Sequence, residues 1–242
     1  MRKIELSIII INYKTPKLVE GAIASIKKSS PKTSYEIIVI DNSNDNVGFA
    51  KGNNKGIRKA KGKYILLLNS DTIVKKNAID RLIEFSKENP DAGVVVPRLL
   101  NPDETIQGSV FRLPSMTLAI KQYFLGERNL LTKYAPLGNT PVQVESAVMA
   151  AFLITPKALE KVGLLDEKYF MYFEDLDYCQ RVNKAGLKVY YLPSAEIIHL
   201  HGGSGGTNKY LIDSAKKYHG IVGYYIYTFI LWLGQKWQKL FK

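Results

Sequence analysis

The chain has 242 residues, of which 46% are hydrophobic and 23% charged, and its formal net charge is +12. This length and composition suit one catalytic-sized domain and exclude a disordered or repeat protein, and the single cysteine, Cys179, excludes an intrachain disulfide or a cysteine zinc site. The excess of lysine and arginine favours an anionic partner, which leaves nucleic acid, anionic lipid or a phosphorylated small molecule.

The first half of the chain alternates predicted strands and predicted helices. Strands are predicted at residues 6–11, 36–40, 64–68 and 93–96, with helices between them at 16–28, 49–60 and 77–88. The first strand is a continuous β-branched run, too short for a signal-peptide core and typical of a parallel strand covered on both faces. This order predicts an α/β fold with a mostly parallel central sheet flanked by helices and right-handed crossovers.

The second half is less regular. Residues 97–142 carry five prolines and are predicted to form loops around a site. The later predicted elements are a strand at 146–154, a helix from Pro156, a helix at 174–185, strands at 188–192 and 195–200, a mobile glycine-rich loop at 202–206, and a helical remainder.

Polar residues follow three successive predicted strands. The strands end, in order, at Asn12-Tyr13, Asp41-Asn42 and Asn69-Ser70-Asp71. A single strand-end Asp is often only a turn former, but ligands of open parallel sheets bind outside the carboxyl ends of the strands, so three in succession favour a binding site. No glycine-rich dinucleotide loop or P-loop is present, and the carboxylates instead favour Mn²⁺ or Mg²⁺ bridging to a pyrophosphate.

Six segments in order carry a resemblance to a known family. They are residues 7–16 (SIIIINYKTP), 36–42 (EIIVIDN), 46–53 (NVGFAKGN), 66–72 (LLLNSDT), 171–179 (MYFEDLDYC) and 199–204 (HLHGGS). Over roughly residues 6–220, the chain strongly resembles family 2 glycosyltransferases with the GT-A fold, especially the rhamnosyltransferase-like branch. The resemblance implies an inverting, metal-dependent hexosyltransferase. Its donor would be dTDP-rhamnose or a UDP-sugar, and its acceptor a hydroxyl of a surface glycan or lipid-linked saccharide.

The resemblance also implies roles for individual residues. The nucleotide sugar would be bound by Asn12, Tyr13, Asp41, Asn46, Gly48, Asn53, Asn69 and Ser70, with Asp41 on the nucleoside. Asp71 would bind the metal as the last residue of the family's Asp-x-Asp motif, whose first acid is replaced here by the weaker ligand Asn69. Met149-Ala150 stand where the family often has Ser-Gly, near the acceptor sugar in relatives.

Glu174 and Asp175 open a predicted helix. Taken alone, two acids there are typical of a helix N-terminus, and Asp177 with Arg181 forms an ordinary i,i+4 pair. The five large residues at 169–173 favour an apolar wall, and burial beside it raises the proton affinity of a carboxylate, as a general base requires. The resemblance places the base at Asp175 and leaves Glu174 to bind acceptor hydroxyls.

Two histidines lie at the end of the last predicted strand. Because side chains alternate along a strand, His199 and His201 are predicted to share one face. The similar position in the family supplies an imidazole to the metal. His199 is the first candidate for that ligand, and His201 is the alternative or a contact to phosphate.

The C-terminal segment is apolar and then basic. Residues 220–235 carry no charge and many aromatic side chains, and Lys236, Lys239 and Lys242 follow. The span is shorter than the ~20 residues of a transmembrane helix and suits an amphipathic helix on an anionic leaflet. The alternatives are packing on the catalytic domain or on a second copy. We expect a catalytic domain over 1–219 and a membrane-associating helix over 220–242, in the cytoplasm at the inner face of the cell membrane.

Two other functions stay open at this point. A sugar-phosphate nucleotidyltransferase has a similar α/β core, but it needs a glycine-rich basic loop after the first strand, of which residues 12–17 are a poor version. A non-catalytic nucleotide- or glycan-binding relic is disfavoured because Asp41, Asp71, Asp175 and His199 are all present. Nucleic acid is not expected as a partner, since no recognised binding module occurs.

Overall fold

The computed structural model describes residues 4–200 and 208–240. The strands in these ranges are β1 (Leu6–Asn12), β2 (Tyr35–Asp41), β3 (Tyr64–Leu68), β4 (Thr72–Val74), β5 (Ala92–Leu100), β6 (Val110–Phe111), β7 (Val142–Val144), β8 (Ser146–Ala147), β9 (Ala151–Ile154) and β10 (Lys188–His199). The helices are α1 (Pro16–Ser29), α2 (Phe49–Ile57), α3 (Ala78–Glu88), α4 (Met116–Phe124), α5 (Pro156–Val162), α6 (Glu174–Lys184), α7 (Asn208–His219) and α8 (Ile221–Leu240).

The central sheet contains strands of both directions. Its order is β2-β1-β3-β9-β5-β10-β4, and β7 pairs with β10 beside this path. Strands β1, β2 and β3 are parallel, β5 is parallel to β10, and β9 is antiparallel to both β3 and β5. Strands β1, β2, β3, β5 and β10 therefore run in one direction. This confirms the predicted α/β fold with a mostly parallel sheet.

Strands β3 and β5 follow each other among the predicted strands, but they are not neighbours in the sheet, because β9 lies between them. The strand predicted at 146–154 is also divided, because β8 pairs with β6 in a separate small sheet and only β9 enters the central one. Alternation along the chain does not reveal a later strand that inserts between earlier ones.

Three local predictions also need correction. Residues 97–142 were predicted as loops, but they contain α4, whose first turn is capped by the Ser115 hydroxyl accepting from the Leu118 N–H at 3.2 Å. The two strands predicted at 188–200 are one strand, β10, whose pairing with β5 shifts register between Leu192 and Glu196. Helix α2 ends at Ile57, earlier than predicted, and β4 was not predicted at all.

Both faces of the sheet are covered, as the apolar composition of β1 predicts. Ile8 and Ile10 pack in the cluster that includes residues of α1 and α3, while Ile9 packs in the opposite cluster with residues of α2 and α6. All three isoleucines are fully buried. Burying such a side chain stabilises the fold by about 1.5–3 kcal/mol. Strand β1 therefore contributes strongly to both halves of the core, although it lies second from one edge of the sheet.

The register of the sheet brings several strand ends together. Asn12 pairs with Asp41, and Ile10 pairs with Leu68, so the carboxyl ends of β1, β2 and β3 meet at one edge. The end of β10 reaches the same edge from the other side, where His199 pairs with Thr72 of β4. The fold thus places residues from four distant segments around one opening.

The last two helices close the chain. Helix α8 begins directly after Gly220, which has a φ of 72°, and packs against α4 and α7. None of the helices within 4–200 and 208–240 is long and apolar enough to cross a membrane.

Candidate functional site

The strand ends form a cavity that we call the strand-edge pocket. Its lining residues are Ile11, Tyr13, Thr15, Asn42, Asn46, Gly48, Phe49, Asn69, Ser70, Asp71 and Met171. Five of the predicted donor-binding residues and the predicted metal ligand Asp71 are among them. The Thr15 and Ser70 hydroxyls are 3.2 Å apart and join the ends of β1 and β3. The structure therefore gathers residues that are far apart along the chain.

One wall of the strand-edge pocket is a loop fixed by two asparagines. The Asn42 side-chain amide donates to Asn46 Oδ1 and to the Gly48 carbonyl, both at 3.2 Å, and the Gly48 N–H donates to Asn46 Oδ1. Gly48 has a φ of 87°, and a Cβ there would lie 2.4 Å from the Phe170 carbonyl oxygen. Glycine is therefore required at position 48 for both conformation and space.

Three predicted donor-binding residues lie outside the strand-edge pocket. Asn53 is buried and donates to the Phe49 carbonyl oxygen at 3.0 Å, so its side chain supports α2. Asp41 is exposed and accepts hydrogen bonds from Asn12 Nδ2 at 3.2 Å and from the Ser43 N–H at 3.1 Å. Hydrogen bonds from Ser43 and Asn12 hold the pKa of Asp41 below its usual range, so this carboxylate outside the strand-edge pocket is ionised.

Asp71 and His199 lie side by side. Asp71 Oδ1 is 3.4 Å from His199 Nε2, and both side chains are nearly nine-tenths buried. Two adjacent ligands of an octahedral cation, each bound at about 2.1 Å, are roughly 3 Å apart, which this spacing fits. Within the described residues no three His, Cys, Asp or Glu side chains gather as a metal site. A cation completed by ligand phosphates needs only one or two protein ligands.

Gln107 holds the His199 ring in place and was not predicted from the sequence. Its Oε1 is 2.9 Å from His199 Nδ1, while its amide nitrogen donates to Asn101 Oδ1 at 2.9 Å and to the His199 carbonyl. Because the amide nitrogen is the donor elsewhere, Oε1 accepts from Nδ1–H, which selects the tautomer that presents Nε2, facing Asp71, as a ligand atom. This tautomer suits a metal ligand.

A second cavity, which we call the acidic pocket, adjoins the first. It is lined by Phe49, Asn69, Asp71, Gln107, Gly108, Lys133, Val148, Met149, Ala150, Met171, Tyr172, Glu174, Asp175 and His199. Phe49, Asn69, Asp71 and Met171 line both pockets. Asp71 therefore stands between the predicted donor side and the predicted base, while His199 lines the acidic pocket only. Met149 and Ala150, which depart from the family pattern, also line the acidic pocket.

The backbone before α6 aims both acids into the acidic pocket. Tyr172 and Phe173 adopt left-handed conformations, with φ of 71° and 69°, and α6 starts at Glu174. Asp175 Oδ1 accepts from the Leu176 N–H at 2.8 Å, whereas Glu174 Oε2 is buried with no hydrogen-bond partner. Two consecutive left-handed residues that are not glycine are strained, which is typical of functional sites.

Burial raises the pKa of both acids. Burial first, and the neighbouring Asp175 charge second, raise the pKa of Glu174 to about 8. Burial raises the pKa of Asp175 to about 6, opposed by the Leu176 hydrogen bond and by the Lys133 charge. The two acids therefore titrate as a coupled pair, in which burial favours the protonated form more strongly at Glu174 than at Asp175. Lys133, like Gln107, comes from the segment predicted as loops and was not anticipated.

We expect Glu174→Gln to reduce the loss of stability that accompanies a rise in pH from 4.5 to about 8. Between its ordinary pKa of 4.5 and its folded pKa of about 8, Glu174 keeps a proton in the folded chain that the unfolded chain has lost. The free energy of unfolding therefore falls as pH rises through that range. Thermal melts across the range should fall less for the glutamine variant, which is always neutral. The exposed Glu84→Gln should follow the unmodified chain, and equal slopes for Glu174→Gln and the unmodified chain would refute the buried proton.

The structure also contains the helix N-terminal acids and the i,i+4 pair that the sequence predicts for α6. Asp177 accepts from Arg181 Nε at 2.8 Å, as the i,i+4 spacing predicts, and Arg181 also donates to the carbonyls of Val162 and Leu164. Asp177 thus anchors α6, while Glu174 and Asp175 face the acidic pocket. His201 and the glycine-rich loop at 202–206 lie outside the described residues, so the choice between His199 and His201 stays a prediction.

Comparison with known sequences agrees with the motif resemblance. Residues 42–152 match the family model described as Glycosyl transferase family 2. The N-acetylglucosaminyl-diphospho-decaprenol L-rhamnosyltransferase of Mycobacterium tuberculosis is 31% identical over 151 residues, which are 60% of this chain and 49% of that protein. Rhamnosyltransferase WbbL of Escherichia coli is 27% identical over 161 residues, covering 63% of this chain and 60% of WbbL. The chain thus spans about half to three fifths of these relatives.

Comparison with solved structures agrees with the fold. The crystal structure of GalNAc-T7 with UDP, GalNAc and Mn²⁺ matches with a TM-score of 0.65 at 15% identity. The match covers 89% of this chain and 47% of the GalNAc-T7 chain. At this identity the likeness concerns the fold alone. These comparisons support the predicted resemblance to family 2 glycosyltransferases and their rhamnosyltransferase-like branch, and the predicted GT-A fold is confirmed.

Proposed function

We propose that this chain, whose residues 42–152 form a family 2 glycosyltransferase domain, is an inverting transferase that moves a hexose from a nucleotide sugar to a saccharide hydroxyl. The observation that carries the proposal is the arrangement of the two pockets. Asp71 lies on their shared wall, and Asp175 lies in the acidic pocket beyond it. A donor in one pocket and an acceptor in the other would meet at that wall.

The donor side is supported by residues that offer hydrogen bonds at the strand ends. Tyr13, Asn69 and Ser70 line the strand-edge pocket. The ionised Asp41 is hydrogen-bonded to Asn12, and both directly precede residues of the pocket lining in the sequence. We assign the nucleoside to the side near Asp41 and the diphosphate to the wall near Asp71. The names of the relatives support rhamnose as the transferred sugar, although a UDP-sugar also suits this pocket.

Asp71 and His199 would hold Mn²⁺ or Mg²⁺, with Gln107 fixing the imidazole. Metal dependence is part of the proposal, supported by the 3.4 Å spacing of the two side chains. The chemistry such a cation supplies when bound is to offset the negative charge that develops on the departing diphosphate. Asn69 lines the strand-edge pocket together with Asp71, and we assign it to the sugar of the donor.

The transfer step assigns separate roles to the two acids of α6. Asp175 accepts the proton of the acceptor hydroxyl, whose oxygen forms a bond to the anomeric carbon as the bond from that carbon to the diphosphate breaks. Attack opposite the leaving group inverts the anomeric configuration. Glu174, whose pKa is raised by burial, would form a hydrogen bond with an acceptor hydroxyl, which would give its buried Oε2 a partner.

The acceptor is proposed to be a surface glycan or lipid-linked saccharide. The M. tuberculosis relative is named for transfer to an N-acetylglucosaminyl-diphospho-decaprenol, which is a lipid-linked saccharide. Lys133 lines the acidic pocket, where a cation would favour an acceptor that carries an anionic group.

A donor screen tests this function against its alternatives. The chain is incubated with dTDP-rhamnose and several UDP-sugars, with Mn²⁺ or Mg²⁺, and released nucleoside diphosphate is measured. We expect metal-dependent release from one donor. Pyrophosphate released from nucleoside triphosphate and sugar 1-phosphate would indicate a nucleotidyltransferase instead, and donor binding without any turnover would indicate a non-catalytic binding protein.

A further inference from the structure

Helix α8 has one side packed on the rest of the chain. A Cβ added at Gly234 would lie 2.4 Å from Tyr123 of α4, so the two helix backbones are in close contact. The rings of Trp237 and Phe124 are 6.0 Å apart, and Gln238 donates to the Gln122 carbonyl. The C-terminal helix is therefore docked on α4 and does not extend away from the chain.

The opposite side of α8 is exposed and apolar, and we call it the α8 stripe. Its members, each 41–72% exposed, are Ile221, Val222, Tyr225, Ile226, Phe229, Trp232 and Leu233. Their spacing of three and four residues places them along one face of the helix. A solvent-facing side of a docked helix is normally polar, and a continuous apolar surface of this length marks an interaction site.

The surroundings of the α8 stripe are basic. Helices α7 and α8 contain five lysines and a single acid, Asp213, which lies on α7. Lys236 and Lys239 are exposed at the end of α8. Lys216 lies 5.6 Å and 5.8 Å from the ring centroids of two tyrosines on α8. The stripe thus combines aromatic side chains with flanking cations.

We propose that the α8 stripe docks on the surface of an anionic lipid membrane, with α8 lying in the plane of the interface. Tryptophan and tyrosine favour the headgroup region, and lysines beside them are attracted to anionic lipids. A two-fold contact between copies of this chain would instead bring the lysines of one copy against those of the other. Because the chain has one cysteine, which suits a reducing compartment, the proposed leaflet is the cytoplasmic one.

Helix α7 connects this surface to the active site. The Ser214 hydroxyl donates to the Met171 carbonyl at 2.8 Å, and Tyr210 stacks on Phe170 at 4.5 Å between ring centroids. Met171 lines both pockets. Docking would then bring the acidic pocket close to the leaflet that carries a lipid-linked acceptor. This consequence rests on the proposed function.

Vesicle sedimentation of the 242-residue chain tests the docking. We expect binding to vesicles of phosphatidylcholine mixed with phosphatidylglycerol, weaker binding to phosphatidylcholine alone, and partial release by salt. The double variant Phe229→Gln with Trp232→Gln should lower the partition coefficient about tenfold or more, because both side chains lose apolar contact with lipid. The variant Leu137→Gln removes a side chain that is 95% exposed elsewhere and should bind as the unmodified chain does.

The lysines are tested separately. Replacing Lys236 and Lys239 by glutamine should lower binding to the anionic vesicles by roughly fivefold per lysine, equivalent to about 1 kcal/mol each. The matched variant Lys59→Gln with Lys63→Gln changes exposed lysines in the first half of the chain and should have little effect.

Two results would overturn the docking proposal. One is an unmodified chain that stays in solution with both kinds of vesicle. The other is that the unmodified chain is a dimer in sedimentation velocity and the double variant Phe229→Gln with Trp232→Gln is a monomer. The α8 stripe would then be an interface between copies. Donor turnover in solution is measured on the same variants. Lost vesicle binding with unchanged turnover supports docking, whereas absent turnover with intact vesicle binding rejects only the proposed function.

Discussion

Replacing Asp175 by asparagine is expected to lower the rate of sugar transfer by about 10²–10⁴-fold, the usual contribution of a general base. The asparagine side chain has nearly the same shape and keeps an oxygen to accept from the Leu176 N–H, but it cannot take a proton. Donor binding should be unchanged, since Asp175 lines the acidic pocket and not the strand-edge pocket. Single-turnover transfer and calorimetric nucleotide binding measure the two effects.

Asp177→Asn is the matched control for this experiment. Asp177 lies on the same helix but is hydrogen-bonded to Arg181. Its amide variant should therefore lower the melting temperature and leave the intrinsic transfer rate nearly unchanged. Near-normal turnover by Asp175→Asn would reject Asp175 as the base and move the role to Glu174.

Chelating divalent cations is expected to remove most of the stabilisation that UDP or dTDP gives the folded chain. A ligand at about 100 times its dissociation constant stabilises the folded state by about 2.7 kcal/mol. With Mn²⁺ or Mg²⁺ present, thermal melts should show this shift for at least one of the two nucleotides. With EDTA the shift should nearly vanish, because Asp71 would face the diphosphate without a cation between them.

Variants distinguish the contribution of the cation to the thermal shift from that of the nucleotide. Asp71→Asn should lose the metal-dependent part of the shift, and His199→Ala should weaken it, while the exposed Asp45→Asn in the loop after β2 should behave as the unmodified chain. Equal nucleotide shifts with metal and with EDTA would contradict a role for the cation in binding.

Much of the fold followed from local patterns in the chain. The run before Asn12 is apolar at every position except Ser7, and β1 is buried on both faces as that run predicts. Strand β3 has the predicted bounds because lysines and glycines before it and polar residues after it delimit the apolar stretch. The insertion of β9 between β3 and β5 was not predictable in this way, since strand neighbours depend on contacts across more than 80 residues of chain.

The residues of the candidate site also divide into those that local sequence patterns predict and those that they do not. Side chains at the ends of consecutive strands were foreseeable, because parallel strands place their carboxyl ends at one edge. The five large residues at 169–173 indicated that Glu174 and Asp175 are buried beside an apolar wall. Gln107 and Lys133 had no such signal, since each is a single polar residue in an irregular segment that tertiary folding brings to the site.

Asn53 illustrates the limit of transferring roles by motif. It occupies a matching position in the sequence, yet its amide supports the backbone of α2 and lines neither pocket. Asn42 shows the converse, because it is buried next to Asp41 and fixes the loop that forms a pocket wall. Whether an asparagine contacts ligand or backbone depends on which way the element turns it.

The anomeric configuration of the transferred sugar tests the central claim most directly, which is a single displacement at the anomeric carbon with Asp175 as the base. Nuclear magnetic resonance of the product, made with the donor that the screen identifies, reports this configuration through the coupling and chemical shift of the anomeric centre. The account predicts a configuration opposite to that of the donor. A product with the donor's configuration retained would contradict the single displacement and the role assigned to Asp175.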